Sequence, residues 1–452
     1  MLTYALKKAP GVPLYEGLYR CIREDILSGK LPAGAKLPSK RALAENLEVS
    51  KITVENAYGQ LLAEGYIRSE EKVGYFVENT DHSARKPIRE FPETEPEPEK
   101  ILDLTVNGPA DFPFSVWSRL QREVMLDYGE KLLRPLHNQG CAELRRAISR
   151  HLADFRGMVI DPENIIIGAG TDFLYNLLIQ LLGRERVYAV EEPGYDKIRK
   201  IYAAGGVRCI GVPMDDGGVK PDALADAGVL HISPSHHFPT GLVMPMSRRQ
   251  ELLSWAEEAD GYIIEDDYDS EFRFRARPMT AMQALDRQGR VVYMNTFSKS
   301  LAPSIRISYM VLPTELMARY REKLGFYSCT VPSFEQYTLA RFLSRGHFEK
   351  HINRMRKFYK ARRNRVAAAL AECPYAEKLT ILEQDAGLHF LLKVETALPD
   401  GELVARFRDA GIRVRTLGSY YDPPRNDRCL VINYSGLEEA ELPRLRNVKL
   451  DG

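Results

Sequence analysis

The chain has 452 residues, 44% of them apolar, with a mean hydropathy of -0.32; that length exceeds one ordinary core and predicts two or three globular domains. Its 63 basic and 62 acidic side chains leave a net charge of +1, so any grip on nucleic acid must come from local placement rather than a global field. No apolar run is long enough to span a bilayer, Met1 to Lys8 holds no signal segment, and six scattered cysteines form neither a CxxC pair nor a zinc spacing, so a cytoplasmic protein with reduced thiols, no metal and no membrane contact is expected.

The first 78 residues are dense in helix and turn signals. Leu14, Leu18, Ile22 and Ile26 recur at helical spacing until Ser28-Gly29. Ser39 is placed to cap a second helix from Lys40, and Ser50 a third from Lys51 through Glu64. Two strand-like runs, Tyr66-Ile67-Arg68 and Tyr75-Phe76-Val77, then flank a polar turn, which predicts a winged helix-turn-helix. Four blocks, Leu37 to Ala44, Val49 to Val54, Leu61 to Tyr66 and Gly74 to Val77, resemble the GntR-type DNA-binding domain in order and content. The resemblance implies that Ser39, Arg41, Lys51 and Thr53 meet phosphates and base edges, with Lys72 and Gly74 in the wing. Glu55 stands where many GntR relatives are basic.

Residues 79–100 alternate Pro and Glu and read as a solvated linker. From Ile101 strands and helices alternate, which predicts an α/β sheet domain over 101–452, with a smaller α+β part mainly in 340–452. Strands are expected at 164–167, 186–190, 207–212, 229–232, 261–265, 291–294, 307–312, 388–393, 412–415 and 429–433.

Within this second part, Lys299 follows the apolar run Val291 to Met294 and sits between Ser298 and Ser300, with Arg306 seven residues on. A lysine at a strand end suits imine chemistry, because partial burial frees its amine, while hydroxyls and an arginine suit a phosphate. Pyridoxal 5'-phosphate (PLP) requires both. Asp266 and Tyr268 share a face at the end of another strand, where a carboxylate can pair with a pyridine nitrogen and a phenol with the ring oxygen. Gly168-Ala169-Gly170-Thr171 opens a helix after a strand, an arrangement whose free N–H groups favour an anion. Tyr195, in Glu192-Pro193-Gly194-Tyr195, offers an aromatic face.

These blocks together resemble the fold type I PLP enzymes of the aspartate aminotransferase superfamily, from about Asp103 onward. The resemblance implies that Lys299 forms the internal aldimine, Asp266 pairs with the pyridine nitrogen, Tyr268 with the phenolic oxygen, and Tyr195 stacks on the ring. Gly170, Thr171, Thr296, Ser298 and Arg306 would hold the phosphate. The whole chain, GntR-type domain plus linker plus aminotransferase-like domain, resembles the MocR family of bacterial regulators, which includes GabR-like and pyridoxine-synthesis regulators. That implies a regulator binding operator DNA, sensing PLP or a PLP-reactive amino compound, and forming a head-to-tail homodimer. The competing expectation is an active PLP-dependent aminotransferase with an accessory N-terminal domain. Three departures bear on this choice. Phe238 replaces the asparagine usual before Pro-Thr-Gly, Pro135 stands where a tyrosine is usual, and Val431 stands where the C-terminal strand usually carries a carboxylate-binding arginine, leaving Arg428, Arg413 or Lys197 as substitutes.

Overall fold

The computed structural model describes residues 2–4, 13–79, 101–106, 111–224, 226–273, 279–382, 386–437 and 439–450. The chain divides into two units, Met1–Pro98 and Glu99–Gly452. Nearly all of the stretch read as a linker lies outside the described residues.

The first unit contains α1 (Leu14–Leu27), β1 (Lys36–Leu37), α2 (Lys40–Leu47), α3 (Lys51–Ala63), β2 (Ile67–Glu70) and β3 (Gly74–Val77). Both predicted caps form: Ser39 Oγ accepts from Ala42 N at 3.2 Å and Ser50 Oγ from Thr53 N at 3.1 Å. The helices close on a core of Leu18, Ile22, Leu43, Val54, Tyr58 and Leu61. β2 and β3 pair antiparallel from Ile67↔Val77 to Glu70↔Gly74, and the turn between them takes Lys72 to φ 60° and Gly74 to φ 140°. This is the winged helix-turn-helix.

Gly59 lies mid-helix on the solvent side of α3, and a Cβ built there meets nothing within 4 Å. No neighbour within the unit requires a glycine, so the helix carries only its entropic cost. Gly59→Ala is therefore expected to stabilise the unit by about 0.5–1 kcal/mol, read as slower hydrogen exchange of the α3 amides.

The second unit is built on an eight-stranded sheet. In chain order its strands are β5 (Ile165–Gly168), β6 (Tyr188–Glu192), β7 (Cys209–Asp215), β8 (Gly218–Val219), β9 (Val229–Ile232), β10 (Tyr262–Asp266), β11 (Val291–Thr296) and β12 (Ser308–Val311), after the short β4 (Leu102–Asp103). The spatial order is β5-β12-β11-β10-β9-β6-β7-β8; β12 runs antiparallel to both neighbours, and β6, β7, β9, β10 and β11 are parallel. Alternate side chains serve opposite faces. Ile264, Val292 and Met294 pack beneath Leu174 and Leu178 of the helix Thr171–Leu182, while Ile263, Val291 and Leu230 pack under Leu252 and Ala256 of the helix Met246–Glu258. Both faces being covered explains why these strands read as continuous apolar runs.

A four-stranded antiparallel sheet, β13 (Leu379–Leu382), β14 (His389–Val394), β16 (Arg415–Thr416) and β17 (Cys429–Asn433), forms the smaller part in the order β13-β14-β17-β16. The single strand expected over 412–415 is two. β15 (Ile412–Arg413) pairs in parallel with β4, held by the Arg413–Asp103 ion pair at 2.8 Å, whereas β16 crosses to β17. Buried Ile412 and the ion pair fix the first half in the other sheet. The segment after β4 is likewise tied down: Leu104 N donates to Arg413 O and Asn433 N to Leu104 O, each at 2.9 Å. Among the described residues no helix is long and apolar enough to cross a membrane.

Candidate functional site

Five strands of the large sheet, β5, β6, β9, β10 and β11, end at one cavity of ≈ 380 Å³. Thr171, Tyr195, Asp266, Tyr268, Thr296, Ser298, Lys299 and Arg306 all line it. Residues spread between Thr171 and Arg306 are thus gathered by the parallel topology, which brings carboxyl ends of strands to one edge.

Lys299 stands in the short helix Phe297–Ser300 that turns off β11. Burial lowers its pKa, opposed by the nearby carboxylates of Asp269 and Asp266, so more of the amine is neutral than in a solvated lysine. Asp266 ends β10 and is buried; its Oδ2 accepts from Tyr175 OH at 2.5 Å, and His231 Nε2 lies 3.6 Å from the same oxygen. Oδ1 has no partner. Behind it, Tyr202 OH and His231 Nδ1 are hydrogen-bonded at 2.7 Å. Tyr268 OH lies 3.4 Å from His236 Nδ1, which in turn is 2.8 Å from Asp269 Oδ2. Tyr195 is half exposed, with Phe238 edge-on at 5.8 Å.

The anion end is equally defined. Gly170 has φ 89°, and a Cβ there would fall 2.2 Å from Arg306 Nη2, so only glycine lets the guanidinium lie against the turn that starts the helix Thr171–Leu182. Arg306 meets Asp172 Oδ2 at 3.4 Å, and Lys197 Nζ meets the same oxygen at 2.6 Å. Ser298 Oγ is buried without a partner. Thr296 differs: its Oγ1 accepts from Ser298 N at 3.2 Å and from Ser308 Oγ at 2.8 Å, so its hydroxyl is already committed to shaping the turn.

At the floor, Glu191 Oε2 accepts from Ser233 N at 2.9 Å and lies 3.5 Å from His237 Nε2. Burial pushes Glu191 up to about 8 and His237 down to about 3, which leaves both neutral at pH 7. Of the three cations named as stand-ins for an arginine at position 431, only Lys197 lines the cavity. Arg413 is bound to Asp103, and Arg428 Nε donates to Leu398 O at 3.2 Å. Val431 is buried among Leu391, Tyr420 and Phe238.

Sequence reasoning missed Tyr175, His231 and Asp172. Tyr175 is one turn beyond Thr171 on the same helix face, and His231 is the one polar residue in the apolar run Val229 to Ile232; each spacing was a usable signal. Among the described residues no cluster of three or more His, Cys, Asp or Glu side chains is placed to hold a metal.

On the first unit, Lys51 and Ile52 are exposed at the start of α3, and Arg41 is exposed on α2, paired with Glu45 at 3.0 Å. Thr53 Oγ1 lies 2.8 Å from Ser50 Oγ, inside the cap.

Residues 99–448 match the aminotransferase class I and II family, and residues 14–77 match the gntR family of bacterial regulatory proteins. The uncharacterized HTH-type transcriptional regulator YdeL of Bacillus subtilis is 37% identical, with 98% of this chain and 97% of that one covered. The probable rhizopine catabolism regulatory protein MocR of Rhizobium meliloti is 33% identical, covering 96% of this chain and 92% of its own. Among solved structures, a kynurenine aminotransferase of Pyrococcus horikoshii, in complex with PMP, superposes with a TM-score of 0.68 and 27% identity over 78% of this chain and 90% of that one.

Proposed function

Because the chain belongs to the MocR-type HTH transcriptional regulators, a gntR winged helix joined to an aminotransferase class I and II domain, we propose that its first unit binds operator DNA and its second binds PLP. The observation that carries the cofactor reading is the unpartnered, buried Asp266 Oδ1 lining the same cavity as Lys299. A buried carboxylate oxygen without a donor is costly unless a ligand supplies one, and a protonated pyridine nitrogen does. The unpartnered Ser298 Oγ and the glycine-only contact of Gly170 with Arg306 fit a phosphate in the same way.

When bound, PLP supplies an aldehyde conjugated to an electron-withdrawing ring. Lys299 offers its amine to that aldehyde. Asp266, braced by Tyr175 and His231, holds the ring nitrogen; Tyr268 donates to the ring oxygen; Tyr195 covers the ring face. Gly170, Thr171, Ser298 and Arg306 hold the phosphate, and Thr296 fixes the backbone of Ser298. Since Val431 offers no guanidinium, and the cavity's Arg199 is paired with Asp422 at 3.1 Å and Glu192 at 3.7 Å, PLP itself is favoured as the signal over an amino acid that would need its carboxylate oriented. Exposed Phe114, Leu126 and Leu133 support a homodimer through the second unit, which we read as head to tail and cytoplasmic.

The test is a pair of titrations on the full chain. PLP should produce the visible absorbance of a lysine-attached cofactor, and anisotropy should report binding to a duplex selected from random sequence. Lys51→Ala is expected to weaken that binding across sequences and to lower the slope of log K against log salt by about one, leaving the absorbance unchanged. A chain that gives no visible band with PLP, or selects no duplex, would sink the corresponding half of the reading.

A further inference from the structure

The solvent face of α3 carries one side chain that phosphate binding does not account for. Glu55 lies on that face one turn beyond Lys51 and three residues beyond Ile52, whose side chain is 67% exposed. Its Oε1 is 3.7 Å from Lys51 Nζ and 3.7 Å from Lys40 Nζ at the start of α2. The carboxylate is not enclosed by these two lysines: the Glu55 side chain keeps 39% of its surface exposed.

Helix stability does not explain the arrangement. In an i,i+4 pair the favourable order places the acid N-terminal to the base, and Lys51–Glu55 runs the other way. Both ion pairs are long and solvent-exposed, a setting worth little. What they accomplish is orientation and charge balance: two lysines flank the carboxylate, offset its repulsion from a phosphate backbone, and leave part of it exposed as an acceptor.

We propose that Glu55 reads a cytosine in the major groove, its exposed carboxylate accepting from the exocyclic N4 amino group, with Ile52 packed on a thymine methyl within two base pairs. The assignment rests on the DNA-binding reading of the first unit and adds to it a base preference. An ionised carboxylate can only accept hydrogen bonds. Guanine shows it two acceptors and thymine one. Adenine places its N7 acceptor beside the N6 donor, whereas the cytosine edge offers a donor alone. The rise of about 4.5 Å between residues three apart on a helix, against about 3.4 Å per base pair, sets the spacing of the two contacts. Ile52 has no polar atom with which to contact a base edge, and the thymine methyl is the apolar feature available to it.

The experiment is selection of random duplexes by the full-length chain, repeated with Glu55→Gln and Glu55→Arg. The native protein should enrich a cytosine at one position of each half-site. Glu55→Gln should shift that position toward adenine and Glu55→Arg toward guanine, each by roughly tenfold to hundredfold, with the other positions unchanged. A second measurement needs no variant: in the selected site, 2-pyrimidinone, which lacks the 4-amino group, replaces each cytosine in turn, and only one replacement should cost tenfold or more. If the native chain enriches no duplex, the DNA-binding reading itself fails. If it enriches a site whose preferences are the same in all three proteins, or tolerates every 2-pyrimidinone, DNA binding stands and Glu55 is not a base reader.

Discussion

Lys299→Ala is expected to abolish the visible absorbance that PLP develops with the native chain, while leaving the secondary structure intact. The side chain lies at the end of β11 where the sheet delivers it to the cavity, and its nearest acids, Asp269 and Asp266, are held by other partners rather than by the amine: His236 lies 2.8 Å from Asp269, and Tyr175 donates to Asp266 at 2.5 Å. Removing Lys299 therefore breaks none of the hydrogen bonds that define the site. Gly170, Ser298 and Arg306, which we propose hold the phosphate, are untouched, so residual, unattached binding of PLP should persist at lower affinity and appear as free-cofactor absorbance in the bound fraction. A variant that kept the attached band would show that another amine, with Lys197 the nearest choice on the cavity wall, carries the attachment.

The largest stability effect is expected one residue from the site, at Asp267. Its carboxylate is 2.9 Å from Arg156 Nη2, with side-chain exposures of 0% and 1%, and accepts from Tyr293 OH at 2.6 Å. Arg156 ends the helix Ala142–Arg156, and among the described residues its only other contact of this kind beyond Asp267 is Ser235 Oγ at 3.0 Å, with Nε and Nη1 without partners. Deleting the acid strands a guanidinium in the interior, so Asp267→Ala should cost about 3–5 kcal/mol. The readout is loss of hydrogen-exchange protection in β10 and β11 together with a lower melting temperature. The double change Arg156→Met with Asp267→Asn should cost clearly less than Asp267→Ala, because it removes the charge as well as its counter-charge; equal costs would mean that shape rather than charge compensation holds the pair.

Much of this architecture was legible because local signals and topology agreed. Ser39 and Ser50 announced their helices and cap them, and the apolar runs ending in Asp266 and Thr296 read as buried strands because both sheet faces are covered. Lys299, Asp266 and Tyr268 could be placed at strand ends from the sequence alone. The layer behind them could not. Tyr175 and His231 each carry a local signal, but their meeting with Asp266 across 91 and 35 residues, and that of Arg156 with Asp267 across 111, lies beyond any periodicity or spacing rule. The strand at 412–415 was misread for a related reason. Its division between two sheets goes with the pairing of Ile412 and Arg413 to Leu102 and Asp103, partners 310 residues away.

The bond from Asn433 to Leu104 joins a cavity wall to the entrance of the second unit. Thr105 and Val106 line the cavity beside Asn433, and the chain running back from Leu104 is clamped through β4 to β15 before it leaves toward the first unit. The segment that leads into the fold of the second unit is thus fastened to the wall of the cavity by main-chain hydrogen bonds. A ligand contact at Asn433 or Thr105 would therefore fall at, or next to, the main-chain bond that anchors the segment after β4, with no strand of the eight-stranded sheet in between.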